Sequence, residues 1–155
     1  MGDIGHTAPE GLIMYSATLP RTARSAAIAL PAEASQVRTA RRFITAHLTR
    51  WRVAEEDRYR AELIVSELAG NAARHGGTDM TVHLSLVDRD IRVDVSDTGR
   101  SVSPWPDSTT HPDEAGRGLY IVDRIADWTV IRPRKHGWQA CAGIHAYSPC
   151  SDGRS

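Results

Sequence analysis

VSELAGNAARHGG, residues 65–77, sets Glu67, Asn71 and His75 four apart along an otherwise apolar stretch. At 100° per residue, Ala61, Ile64, Val65, Leu68 and Ala72 form one apolar stripe, and the three polar residues climb along its edge. The period predicts a helix that begins near Glu55, runs to His75 and is stopped by Gly76 and Gly77. The polar row is then half buried, and a carboxylate there is costly to desolvate without a partner or a use. Two readings stay open at this point: Glu67 pairs with Arg74 or His75 on the helix surface, or the row belongs to a site.

The flanking sequence supplies the other layer. Met80, Val82, Leu84 and Leu86 alternate with Thr81, His83, Ser85 and Val87, and after Asp88, Arg89 and Asp90 the residues Ile91, Val93 and Val95 alternate again. This predicts a β-hairpin with one buried face. Upstream, residues 25–30 form a short apolar run that reads as a strand ended by Pro31. Ser35 is expected to cap a helix in which Val37, Ala40, Ile44, His47, Leu48 and Trp51 recur, while Arg38, Arg41, Arg42 and Arg50 point outward. Downstream, RSVSPWPDSTTHPDEAG (100–116) is too rich in proline for regular structure and long enough to be a lid, with Trp105 packing inside it. A third helix, GLYIVDRIADW (118–128), follows the glycines. Two last strands, TVIRPR (129–134) and WQACAGIHA (138–146), are joined by a turn at Lys135, His136 and Gly137.

That order predicts an α+β fold, a two-layer α/β sandwich with helices on one face of a mostly antiparallel sheet. Residues 21–147 read as one domain between loose tails at 1–20 and 148–155. A chain of 155 residues buries enough surface to fold without metals or disulfides. Zero net charge argues against a nucleic-acid binder, which needs a concentrated basic face, although eighteen arginines stand against one lysine. The opening residues have no basic start and no apolar run, so the expected location is cytoplasmic, with no membrane span. Cys141 and Cys150 are expected as free thiols, since no cysteine or histidine spacing resembles a zinc site.

Two further stretches carry chemistry. In IRVDVSDTG, Asp97 stands at the exit of a strand. An ionised aspartate only accepts hydrogen bonds, and the amino group of adenine is a donor that guanine lacks at the same position, so such a site selects ATP over GTP. The bland alternative is a turn built by Asp and Gly. In EAGRGLYIV, Gly116 and Gly118 flank Arg117 just ahead of an apolar helix, where free backbone N–H groups can meet phosphate oxygens and Arg117 adds a charged fork. Glycine also serves such a junction for conformational reasons alone.

Taken in order, ELAGNAARHG, DTG and GRGLYIV resemble the N, G1 and G2 boxes of the GHKL ATPases, which share the Bergerat nucleotide-binding fold. The small size and SELAGNAARHG resemble the stand-alone anti-sigma-factor serine/threonine kinases of bacterial partner-switching systems. The resemblance covers roughly residues 24–146 and implies ATP and Mg2+ as ligands. It implies Glu67 as general base, Asn71 as the magnesium ligand, Asp97 as the adenine reader with Gly99 beside it, and Gly116, Arg117, Gly118 and Leu119 as the phosphate loop and helix start. Arg74 stands where it could reach a phosphate. The expected partners are an antagonist (anti-anti-sigma) protein, phosphorylated on serine or threonine, and a sigma factor; pairing through the first helix and the sheet edge would make a homodimer.

Two departures bear on activity. Ser101 replaces the second glycine of the G1 pattern, and Glu114 and Ala115 stand where some of these kinases carry an arginine aimed at the γ-phosphate. The alternative function is a non-catalytic binding module in a partner-switching pathway, nucleotide-dependent or nucleotide-free. A histidine-kinase catalytic domain without its phosphoacceptor helix is a third.

Overall fold

A period of two and a period of 3.6 build the two layers seen in the structure, a computed structural model that describes residues 23–75, 77–99 and 114–147. The tails, the proline-rich loop with Ser101 and Trp105, the side chains of residues 114–117, and Cys150 lie outside the described residues. In chain order the elements are β1 (Ala23–Pro31), α1 (Val37–Arg50), α2 (Glu55–His75), β2 (Asp79–Val87), β3 (Asp90–Asp97), α3 (Glu114–Ile125), β4 (Trp128–Pro133) and β5 (Trp138–His145). The sheet runs β1-β2-β3-β5-β4, and its pairings are antiparallel. This is the expected α+β sandwich.

Alternation decides which face of the sheet is buried. Val82 and Leu84 of β2 lie opposite Val95 and Val93 of β3, and Val93 lies opposite Ala142 of β5; all five are buried. They share one core with the stripe of α2, where Ala61, Ile64, Val65, Leu68 and Ala72 are buried, and with Ala40, Ile44 and Leu48 of α1. Each fully buried Ile, Val or Leu contributes about 1.5–3 kcal/mol relative to exposure.

The other face carries a polar cluster. Asp94 is only 7% exposed there, and its Oδ2 accepts hydrogen bonds from Arg92 Nη2 (2.9 Å), Gln139 Nε2 (2.7 Å) and Cys141 Sγ (2.9 Å). Three donors converge on a single oxygen, which is how a carboxylate survives this degree of burial.

A second polar clasp sets the direction of α3. Asp57, in the first turn of α2, is 1% exposed. Its Oδ1 accepts from Arg60 Nη1 (3.2 Å) and its Oδ2 from the Tyr147 backbone N–H (3.2 Å). Arg60 Nη2 in turn donates to the Ile125 carbonyl at the end of α3 (2.9 Å). The end of α3 is thereby tied to the start of α2, and its beginning falls beside the later turns of α2.

Two local expectations are corrected. Ser35 does not cap α1: it lies in a 3-10 turn, Ala34–Gln36, and its hydroxyl donates to Glu33 (3.4 Å), while α1 starts at Val37 without a side-chain cap. The third helix does not wait for the glycines but begins at Glu114, so Gly116 and Gly118 lie inside its first turns. Helix entry leaves its first N–H groups without intrahelical partners, and glycine is less costly there than further along. No helix among the described residues is long and apolar enough to cross a membrane.

Candidate functional site

The three motifs meet along the last three turns of α2. Glu67 and Asn71 sit half-buried on the edge of the apolar stripe, and Arg74 and His75 emerge into solvent at its end. The ion pair that would explain the row as surface chemistry is absent: among the described residues, no salt bridge joins Glu67 to Arg74 or His75. The Glu67 carboxylate instead reaches α3. A Cβ built on Gly118 would stand 2.5 Å from Glu67 Oε2 and 3.8 Å from Arg74 Nη2. Glycine at 118 is therefore what lets this carboxylate lie against the helix. Leu119, next in line, is buried and anchors that turn in the core.

Among the described residues, no donor reaches the buried Oδ1 of Asn71. An unpaired buried amide oxygen costs about 1–3 kcal/mol, so its retention asks for a ligand. A neutral oxygen of this kind suits a hard cation that keeps waters and phosphates as its other ligands. The residues thus fit a magnesium ion, even though no group of three or more His, Cys, Asp or Glu gathers among the described residues.

Asp97 closes the other side. As the last residue of β3 it shares the inner face with Val93 and Val95, and it lines a cleft with Asn71, His75, Ile131 and Trp138. Its Oδ1 accepts from the Gly99 N–H (3.0 Å) and the Trp138 N–H (3.3 Å). The first of these is the turn chemistry of an Asp-x-Gly sequence; the second ties the carboxylate to β5. No hydrogen bond from a described residue reaches Oδ2.

Two glycines hold that corner together. Gly137 has φ +86°, and a Cβ there would collide with the Asp97 carbonyl. A Cβ on Gly77 would lie 3.0 Å from the Thr98 carbonyl oxygen, so the exit of α2 packs against the Asp97–Gly99 turn. Bounded by the described residues, the cleft measures about 20 Å3. This holds about one water, and a base enters only as the walls part.

Of the residues singled out in the sequence, Glu67, Arg74 and Gly118 come together at one end, and Asn71 and Asp97 share the cleft beside them. Gly116 lies on the first turn of α3, and the Arg117 side chain falls outside the described residues. Trp138 was missed. Its signal was the alternation of β5, which puts it on the inner face with Ala140 and Ala142, at the strand end facing Asp97.

A sequence model for the histidine kinase-like ATPase domain matches residues 30–141, which span α1, α2, β2, β3, α3, β4 and the first half of β5. A comparison with curated proteins gives no match. With most of the chain covered and the cleft lying within the match, the chain belongs to the histidine kinase-like ATPase domain family, whose shared ligand is ATP.

Proposed function

We propose that the chain is an ATP-dependent protein serine/threonine kinase of the partner-switching kind. It phosphorylates a hydroxyl on a small antagonist protein, and it holds or releases a regulatory partner such as a sigma factor according to the antagonist's state. One observation carries this reading: the Glu67 carboxylate, free of any ion pair with Arg74 or His75, lies against the first turns of α3 with Arg74 beside it. A nucleotide-binding module has no need of such a base, whereas a hydroxyl nucleophile does.

In this reading Asp97 Oδ2 accepts from the amino group of adenine, and Gly99 lets backbone approach the base. Gly116, Arg117, Gly118 and Leu119 form the turn that meets the phosphates, with Arg74 adding charge at the same edge. Asn71 would hold Mg2+. Bound ATP and Mg2+ supply the phosphoryl group and neutralise its charge, which is most of what such a transfer requires. Glu67 would take the proton of the serine or threonine hydroxyl as that oxygen bonds to the γ-phosphorus of ATP and the bond from that phosphorus to the departing ADP breaks.

A second copy of the chain pairing through α1 and the edge strand β1 belongs to the same reading, since β1 ends the sheet and is largely exposed. Light scattering on a sizing column checks it, with a monomer at all concentrations counting against it.

The non-catalytic reading has one observation in its favour, the 20 Å3 cleft. Incubation with γ-labelled ATP and extract of the host cell separates the two. A labelled phosphoserine or phosphothreonine band that vanishes with Glu67→Ala supports the kinase. ATP binding without any transfer dependent on Glu67 leaves the binding module.

A further inference from the structure

Trp138 brings more to the cleft than a wall. It is the first residue of β5, on the inner face with Ala140 and Ala142, and its backbone N–H donates to Asp97 Oδ1 (3.3 Å), so its position is coupled to that carboxylate. The turn before it is held by Gly137, whose φ of +86° and close approach to the Asp97 carbonyl leave no room for a side chain. The indole Nε1 is buried and, among the described residues, has no hydrogen-bond partner. Buried tryptophan N–H groups ordinarily find an acceptor, and leaving one unmade is costly. Indole offers a donor and nothing else. Two residues lining one cleft thus carry groups that no described residue pairs by a hydrogen bond: the buried donor Nε1–H of Trp138 and the half-buried acceptor Oδ2 of Asp97.

An acceptor and a donor lining one cleft match one edge of adenine, where the amino donor at C6 adjoins the acceptor N1. Guanine shows the reverse there, an acceptor at C6 and a donor at N1. We propose that Trp138 is a second specificity-determining residue for the base: its Nε1–H donates to N1 of adenine while Asp97 accepts from the amino group. This rests on the nucleotide reading given above. Guanine then meets two mismatches, donor on donor and acceptor on acceptor. A site whose buried polar groups are left unpaired by the wrong ligand rejects it far more strongly than shape alone.

The test is calorimetric titration of the full chain, with Mg2+, against ATP, GTP and 1-deaza-ATP, which carries C–H in place of N1. The unaltered chain is expected to bind ATP, to bind 1-deaza-ATP about tenfold more weakly, and to bind GTP weakest of all, since a neutral hydrogen bond with a buried donor is worth roughly a factor of ten. Trp138→Phe keeps the aromatic area and removes only the N–H. It should lose about tenfold for ATP and nothing further for 1-deaza-ATP, while its thermal midpoint stays at or above that of the unaltered chain. Equal affinity of the unaltered chain for ATP and 1-deaza-ATP overturns the proposal without needing any variant, and so does a Trp138→Phe chain that binds ATP undiminished. Failure of the unaltered chain to bind any of the three overturns the nucleotide reading itself, a different result from either.

Discussion

The Glu67 carboxylate occupies the space that a side chain at position 118 would need: Oε2 is 2.5 Å from the point where a Gly118 Cβ would stand. The group in the way is the far end of a flexible side chain, so Gly118→Ala can be accommodated by turning the carboxylate aside. Alanine is also the better helix former, by up to about 1 kcal/mol. Gly118→Ala is therefore expected to leave the urea midpoint unchanged or slightly raised. Displacement of a catalytic group by about 1 Å can cost on the order of 100-fold, so on the kinase reading proposed above phosphotransfer should fall by roughly that much, with ATP affinity changed far less. Undiminished transfer in this variant would remove Glu67 from the chemistry.

Asn71 is predicted to behave oppositely in the two states of the protein. With no ligand bound, its Oδ1 is buried and unpaired among the described residues, so Asn71→Ala deletes an unsatisfied group and should cost little stability, less than about 1 kcal/mol by urea unfolding. With ATP present the missing oxygen counts. Affinity measured with Mg2+ should fall at least tenfold, while affinity measured with EDTA should be nearly that of the unaltered chain. A variant as weak without magnesium as with it would show that Asn71 serves the nucleotide or the fold and not the cation.

The two layers were legible because each has a period that its burial obeys. The apolar stripe of α2 and the alternation of β2 and β3 are buried where the pattern put them, from Ala61 to Ala72 and from Met80 to Val95. Positions settled by one local rule were less secure. Ser35 has the right chemistry for a cap but donates to Glu33, and Gly116 and Gly118 read as a loop because glycine is scarce inside helices. What makes Gly118 tolerable is the Glu67 carboxylate across the gap, a long-range fact no local pattern contains. Trp138 was hidden for the same reason, since its importance comes from lying opposite Asp97.

Asp57 carries stability at a distance from the cleft. Truncating one partner of a buried ion pair costs about 3–5 kcal/mol where the other charge is stranded. Arg60 keeps the Ile125 carbonyl and lies 3.6 Å from Asp127, so Asp57→Ala should fall at the lower end, about 3 kcal/mol by urea unfolding. Asp57→Asn keeps one acceptor oxygen and sets an NH2 donor where the other stood, so it can accept only one of the two hydrogen bonds and should recover less than half. Because the same network pins the end of α3, hydrogen exchange should quicken in residues 119–125 of Asp57→Ala more than in β2. Uniform quickening would mean that the clasp adds stability without orienting α3.

Cys141 gives the outer sheet face a pH dependence. Burial, with the Asp94 carboxylate second, pushes its thiol up from the ordinary value of 9.0. The folded chain thus holds this proton more tightly than the unfolded chain does, so the associated stability is complete below about pH 9 and is lost as pH rises toward the raised folded value. Urea midpoints should hold up to about pH 9 and fall above it, and Cys141→Ala should lessen that fall. The same burial limits reactivity, because the thiolate is the nucleophile. At pH 8, iodoacetamide should label Cys141 at least tenfold more slowly in the folded chain than in urea, read from the peptide that contains it. Equal rates would mean that the Asp94 cluster opens faster than the reagent acts, and the protected thiol would have to be abandoned.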